Sequence, residues 1–68
     1  MNMNEEELKL FTFLTKGKIK DVYIDHQMGM VCIALEDGIS IDIIGGEDEI
    51  TVEYSGNFIK ENLEKYFE

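Results

Sequence analysis

The sequence predicts an α+β fold, a two-layer sandwich in which a four-stranded antiparallel meander is flanked by N- and C-terminal helices (αββββα). Between residues 22 and 54, strand-forming apolar residues recur at every second position, and turn signals rich in Gly and Asp separate four such runs. Residues 4–15 and 57–67 show helical spacing instead. Because the chain has 68 residues, of which 44% are hydrophobic, we expect residues 1–68 to form a single small domain.

The first helix is predicted over residues 4–15. Asn4 is placed to cap it, Glu7 stands at the capping-box position, and Gly17 offers a C-terminal stop. Residues 8–13, with the sequence Leu-Lys-Leu-Phe-Thr-Phe, can also be read as a strand, so the sequence leaves this interpretation of the segment open.

The middle hairpin decides which residues share the apolar face of the sheet. A two-residue loop would mix apolar and polar residues on each face. A three-residue loop, Glu36–Gly38, pairs Ile33 with Ile41 and keeps one face wholly apolar. We therefore predict the three-residue loop, closed by a left-handed Gly38.

Four-residue loops, 26–29 and 45–48, are expected in the other two hairpins, at one common end of the sheet. They would pair Ile24 with Val31 and Ile43 with Ile50. By alternation, the opposite face of the sheet, which we name the outer face, is expected to carry Asp21, Tyr23, Asp25, Met30, Cys32, Ala34, Ser40, Asp42, Ile44, Glu49, Thr51 and Glu53.

A second helix is predicted at the end of the chain, where it would cover the apolar face of the sheet. Asn57 is the expected cap, and Glu61 and Lys65 stand four residues apart in the order that favours an ion pair. The apolar positions at helical spacing are Phe58, Ile59, Leu63, Tyr66 and Phe67.

Charge distinguishes this chain from an ordinary small domain. It has 15 acidic residues, six lysines and no arginine, for a net charge of −9. Nine of the acids, and no basic residue, lie between Asp21 and Ile59, so the sheet is expected to carry nearly all of the negative charge. An acidic surface also keeps a small protein soluble, and the sequence leaves both interpretations open.

The acids are not equally compensated. At one end of the sheet, Lys18 and Lys20 are expected to offset part of the charge of Glu36 and Asp37. Like charges that are held together cost stability, so an uncompensated group invites a functional explanation. The acids without a nearby lysine are Asp25, Glu47, Asp48 and Glu49.

No group of side chains indicates catalysis. Asp25 and His26 are adjacent and point to opposite faces, and Asp42 beside Cys32 would raise the pKa of that thiol. The 45–49 loop lacks both the lysine of a phosphate loop and the alternating Asp ligands of an EF-hand. We expect no enzymatic activity, no cofactor and no dedicated metal site.

The sequence also predicts where the chain resides. No apolar run approaches the roughly 18 to 20 residues of a membrane span, and the N-terminal residues are acidic, unlike a secretory signal. A single cysteine excludes an internal disulfide. We expect a cytoplasmic protein without a membrane partner.

The charge distribution predicts a basic protein as the partner. Direct binding of nucleic acid is disfavoured, because affinity for DNA comes from Lys and Arg displacing counterions. A rigid sheet of carboxylates can instead occupy the basic groove of a protein that binds DNA or RNA. The predicted partner-binding residues are Asp21, Tyr23, Asp25, Met30, Asp42, Ile44, Glu47, Asp48, Glu49 and Glu53.

In its size, acidity, lack of a cysteine framework and helix-flanked antiparallel sheet, the chain resembles small phage-encoded inhibitors, among them anti-CRISPR proteins and other nucleic-acid mimics. The resemblance covers the whole chain as composition and architecture, and it assigns no residue a role. It implies a non-enzymatic inhibitor that blocks a nucleic-acid-binding protein. The alternative is a self-associating small α+β domain of regulatory or unknown role, which would form a homodimer and whose acidity serves solubility only.

Overall fold

The computed structural model describes residues 2–67 and confirms the αββββα architecture. The strands form one antiparallel sheet in the order β1-β2-β3-β4, which is the predicted meander. The elements are α1 (Glu5–Lys16), β1 (Ile19–Asp25), β2 (Met30–Leu35), β3 (Ile39–Gly45), β4 (Ile50–Gly56) and α2 (Lys60–Phe67).

The first segment is a helix, which resolves the ambiguity over residues 8–13. The Asn4 side chain accepts a hydrogen bond from the backbone N–H of Glu7 at 2.8 Å, and the Glu7 carboxylate accepts one from the Asn4 N–H at 3.1 Å. This reciprocal capping box satisfies two N–H groups that a helix N-terminus leaves unpaired. At the other end, the Gly17 N–H donates to the carbonyl of Phe13 at 2.9 Å.

The first two hairpins have the predicted registers. Ile24 lies opposite Val31, and Ile33 lies opposite Ile41. The three-residue loop is confirmed too, because β2 ends at Leu35 and β3 begins at Ile39. As predicted, Gly38 closes this loop with a φ of 92°, in the left-handed region that glycine adopts without a steric penalty.

The predicted register of the third hairpin is wrong. Ile43 lies opposite Val52 rather than Ile50, because β3 continues to Gly45 and the connecting loop is 46–49. The shift is by two residues, so every paired side chain keeps its predicted face.

The shift has one consequence for the outer face. Glu49 lies in the loop and not on the sheet. Its carbonyl accepts a hydrogen bond from the N–H of Gly46 at 2.7 Å, which closes the loop.

Both helices pack on the apolar face of the sheet. The ring of Phe13 from α1 lies 5.3 Å from that of Tyr54 in β4 and 4.8 Å from that of Tyr66 in α2. The core consists of Phe13, Ile33, Leu35, Ile39, Ile41 and Tyr66. The cover is incomplete, since Val22 and Ile24 of β1 are more than half exposed.

The predicted cap of α2 is wrong, because the helix begins at Lys60 rather than after Asn57. Asn57 instead joins the connection to the middle hairpin: its N–H donates to the Gly38 carbonyl at 3.1 Å, and its own carbonyl accepts from the Asn62 side chain at 3.2 Å. A left-handed Gly56, with a φ of 107°, turns the chain out of β4 just before it.

The predicted ion pair between Glu61 and Lys65 is replaced. Lys65 lies 3.2 Å from Asp37 instead, because α2 lies against the 36–38 loop, a contact that local sequence spacing does not show. The i,i+4 pair on α2 is formed by Lys60 and Glu64 at 3.8 Å. Asp37 is thus paired with a lysine of α2, while the backbone N–H of Glu36 donates to the carbonyl of Lys18 at 2.9 Å.

Candidate partner-binding surface

The outer face is the side of the sheet that neither helix covers. It consists of rows of directly opposed residues, with neighbouring strands about 4.8 Å apart. The central row contains Tyr23, Cys32, Asp42 and Glu53, and the next row contains Asp25, Met30, Ile44 and Thr51. Of the residues predicted to bind a partner, the structure brings together on this face Asp21, Tyr23, Asp25, Met30, Asp42, Ile44 and Glu53.

Two carboxylates face each other on this surface. Asp42 of β3 lies directly opposite Glu53 of β4. Like charges in such a cross-strand position destabilise a sheet. In the part of the chain that the structure describes, the lysine–carboxylate ion pairs involve other acids, so neither Asp42 nor Glu53 has a lysine within ion-pair distance.

Asp42 also affects the pKa of Cys32, the only cysteine in the sequence. A hydrogen bond from Cys32 to Asp42 raises the pKa of the thiol, and burial and the charges of Asp42 and Asp25 raise it further. The predicted direction is therefore confirmed. A thiol held in its protonated form is a poor nucleophile.

Asp25 also stabilises the turn between β1 and β2, a role that was not predicted. One of its carboxylate oxygens accepts hydrogen bonds from the backbone N–H groups of Gln27 and Met28, both at 3.1 Å. These bonds shape the turn between β1 and β2, as Asp side chains commonly do. Asp25 thus contributes charge to the outer face while it holds the turn.

Three further acids form what we name the acidic tip, Glu47–Glu49, and all three are exposed. The N–H of Gly45 donates to the carbonyl of Gly29 at 2.8 Å, so the two loops lie side by side at one end of the sheet, as predicted. The outer-face row that contains Asp25 and Ile44 is the row nearest this end. The acidic tip therefore lies at the end of the sheet, next to this row.

The apolar residues of the outer face differ in exposure. Tyr23 has 61% of its surface exposed, whereas Met30 and Ile44 are half-buried. Tyr23 lies on the edge strand β1, beside Cys32. An exposed aromatic side chain among charges is a typical anchor of a protein interface.

A second surface, on α1, was not among the predicted sites. A groove of about 290 Å³ runs along one flank of α1 and is lined by Met3, Glu7, Leu10, Phe11 and Leu14. The sequence contained a signal for this surface, because these residues recur at spacings of three and four along the helix. The apolar side of α1 that they form is wider than contact with the core requires.

Residues 2–67 contain no cluster of three His, Cys, Asp or Glu side chains arranged to hold a metal ion. No helix in that range combines the length and the apolarity needed to cross a membrane. Compared with known proteins, the chain matches no protein-family model, no curated protein and no solved structure.

Proposed function

We propose that this chain is a non-enzymatic inhibitor that binds a basic, nucleic-acid-binding protein and takes the place of the nucleic acid in its groove. The outer face and the acidic tip are the binding surface. The observation that supports the proposal is the opposition of Asp42 and Glu53 on the outer face, where neither is paired with a lysine of residues 2–67.

The free energy of binding would come from charge. The repulsion between Asp42 and Glu53 is present in the free protein and is relieved when a lysine or arginine of the partner lies between them. Because Asp42 and Glu53 stand on paired strands, less conformational entropy is lost when this part of the surface binds. A basic groove would also release the anions that it holds, as it does when it binds DNA.

The test is an affinity pull-down from a bacterial lysate at low and high salt, followed by a competition assay. We expect retained proteins that bind DNA or RNA, that elute as salt rises, and whose nucleic-acid complexes the chain dissociates in a gel-shift assay. A triple variant, Asp42→Asn with Glu53→Gln and Asp48→Asn, should lose this competition.

The matched control is a second triple variant, Glu5→Gln with Glu36→Gln and Glu61→Gln, which removes the same charge from exposed positions away from the outer face. It should compete nearly as well as the unaltered chain. Equal losses in both variants would mean that net charge alone acts. A salt-insensitive dimer that retains nothing would favour the self-association alternative instead.

A further inference from the structure

The apolar face of the sheet is uncovered along β1. The inward-facing side chains of this strand are about half exposed: Ile19 at 50%, Val22 at 56% and Ile24 at 55%. Their neighbours on β2, Ile33 and Leu35, are buried. The helical layer therefore ends over β2 and leaves an apolar shelf along β1.

The groove on α1 lies on the same side of the molecule. Lys9 of α1 is placed over the ring of Tyr54 in β4, with its Nζ 4.6 Å from the ring centre. The groove-lining residues Leu10 and Leu14 occupy the other flank of the helix. Since the strand order is β1-β2-β3-β4, the flank opposite β4 is the one on the β1 side. Groove and shelf therefore lie on the same side of the helical layer.

The edge of β1 can pair with another strand. No strand within residues 2–67 lies on its outer side. A bulge between Ile19 and Asp21 interrupts the register, and such bulges and nearby lysines protect an edge from pairing. From Asp21 to Asp25 the register is regular, so this portion keeps unpaired backbone groups in strand geometry.

We infer that the edge of β1 is a second binding site, which takes an extended partner segment of alternating apolar and basic residues as a fifth strand. On the inner side, the apolar residues of that segment contact Val22, Ile24 and the groove of α1. On the outer side, its basic residues lie beside Asp21 and Asp25. Strand addition of this kind obtains affinity from main-chain hydrogen bonds and specificity from alternate side chains.

A second copy of the chain fits this edge poorly. If two β1 strands paired antiparallel with Tyr23 opposite its own copy, Asp21 would lie opposite Asp25. If Val22 lay opposite its own copy instead, Ile24 would lie opposite Lys20, the residue in the bulge. The β4 edge of a second copy would bring further negative charge, from Glu53, beside these aspartates. Charge complementarity therefore favours a basic segment over self-pairing.

The probe is a ten-residue peptide in which valine alternates with lysine. Two control peptides are a block peptide, with the same residues grouped as five valines and five lysines, and a peptide of valine alternating with glutamate. Binding is measured by fluorescence anisotropy, and the bound strand is located by amide hydrogen exchange. We expect about tenfold slower exchange of the outward-facing amides in residues 21–25 with the first peptide only.

Two matched variants test the apolar shelf. Ile24→Lys should weaken binding of the peptide by about tenfold or more, because an isoleucine contact is replaced by a like charge. Ile50→Lys should change the Kd by less than about twofold. Ile50 is an isoleucine on the same face, 68% exposed, but it lies on the opposite edge strand, β4.

Three results would overturn the inference: protection that appears along β4, equal weakening by both isoleucine variants, or equal binding of the block peptide. A chain that dimerises through β1 in the absence of peptide would also overturn it. The double variant Asp42→Asn with Glu53→Gln separates this site from the outer-face proposal. It should lose competition with nucleic acid but bind the alternating peptide with a Kd within about twofold.

Discussion

Tyr66 donates a hydrogen bond of 2.6 Å to the carboxylate of Asp37, and this bond ties the last helix to the loop between β2 and β3. The Nζ atom of Lys65 lies 3.2 Å from the same carboxylate oxygen, and the other oxygen accepts from the Ile39 N–H at 3.3 Å. Burial alone raises the pKa of Asp37, but the hydrogen bonds from Tyr66, Lys65 and Ile39 outweigh it and hold the pKa below its usual value.

Removal of the Tyr66 hydroxyl should therefore destabilise the fold. In Tyr66→Phe the ring stays in the core, while the nearly buried Asp37 carboxylate loses one donor. We expect a loss of about 1–3 kcal/mol in the free energy of unfolding, measured by urea denaturation. A change below about 0.5 kcal/mol would show that water replaces the hydroxyl without cost.

Tyr54→Phe is the matched comparison, and the opposite result is expected. The hydroxyl of Tyr54 is buried and has no hydrogen-bond partner in the described structure. An unsatisfied buried hydroxyl costs free energy, so its removal should leave the free energy of unfolding unchanged or raise it by up to about 1 kcal/mol. A loss as large as that of Tyr66→Phe would mean that the hydroxyl has a partner in solution.

Stability should also fall at high pH through Tyr66. Burial is the largest cause that raises the pKa of Tyr66, and the hydrogen bond to Asp37 and the negative charge of Asp37 add to it, so that the pKa is about 12. In the unfolded chain the pKa is about 10, so the folded state retains the proton that the unfolded state loses. The contribution of Tyr66 to the free energy of unfolding is therefore complete below pH 10 and is lost as the pH rises towards 12.

The measurement is the urea midpoint at several pH values between about 9 and 12, for the unaltered chain and for Tyr66→Phe. Burial and the charge of Glu6 also raise the pKa of Tyr54, which acts in the same direction in both proteins. The difference between the two curves therefore isolates Tyr66. If the urea midpoints of the two proteins fell in parallel as the pH rises, Tyr66 would not be the source of the loss of stability.

Local patterns predicted the fold well where two signals agreed. In the middle hairpin, alternation and a left-handed glycine both required one register, and Ile33 does lie opposite Ile41. In the third hairpin, Gly45 and Gly46 allow a loop at 45–48 or 46–49. Because the two registers differ by two residues, alternation cannot distinguish them.

The candidate site likewise has a part that alternation determines and a part that it does not. Membership of the outer face depends only on parity, so Asp42 and Glu53 were placed correctly, while the register determines that they face each other. The contact between Asp37 and Tyr66 joins residues 29 positions apart and left no local signal. The open edge at β1 depends on where the helices lie over the sheet, which the sequence pattern does not determine.

Glu53→Lys should separate stability from function. It replaces the repulsion between Asp42 and Glu53 by an attraction across the strands, so we expect the free energy of unfolding to rise by about 0.2–1 kcal/mol, and by less at high salt. If the proposed function is correct, the same variant should no longer compete with nucleic acid for the partner, because the new lysine occupies the place of the partner's lysine or arginine.

The control for the change in net charge is Glu61→Lys, at an exposed position on α2 away from the outer face. It should leave competition nearly intact. Urea denaturation and the gel-shift assay, applied to both variants, give the two readouts. A Glu53→Lys protein that is more stable and still competes fully would show that the opposed carboxylates are not part of the binding surface, because the repulsion could then be removed without loss.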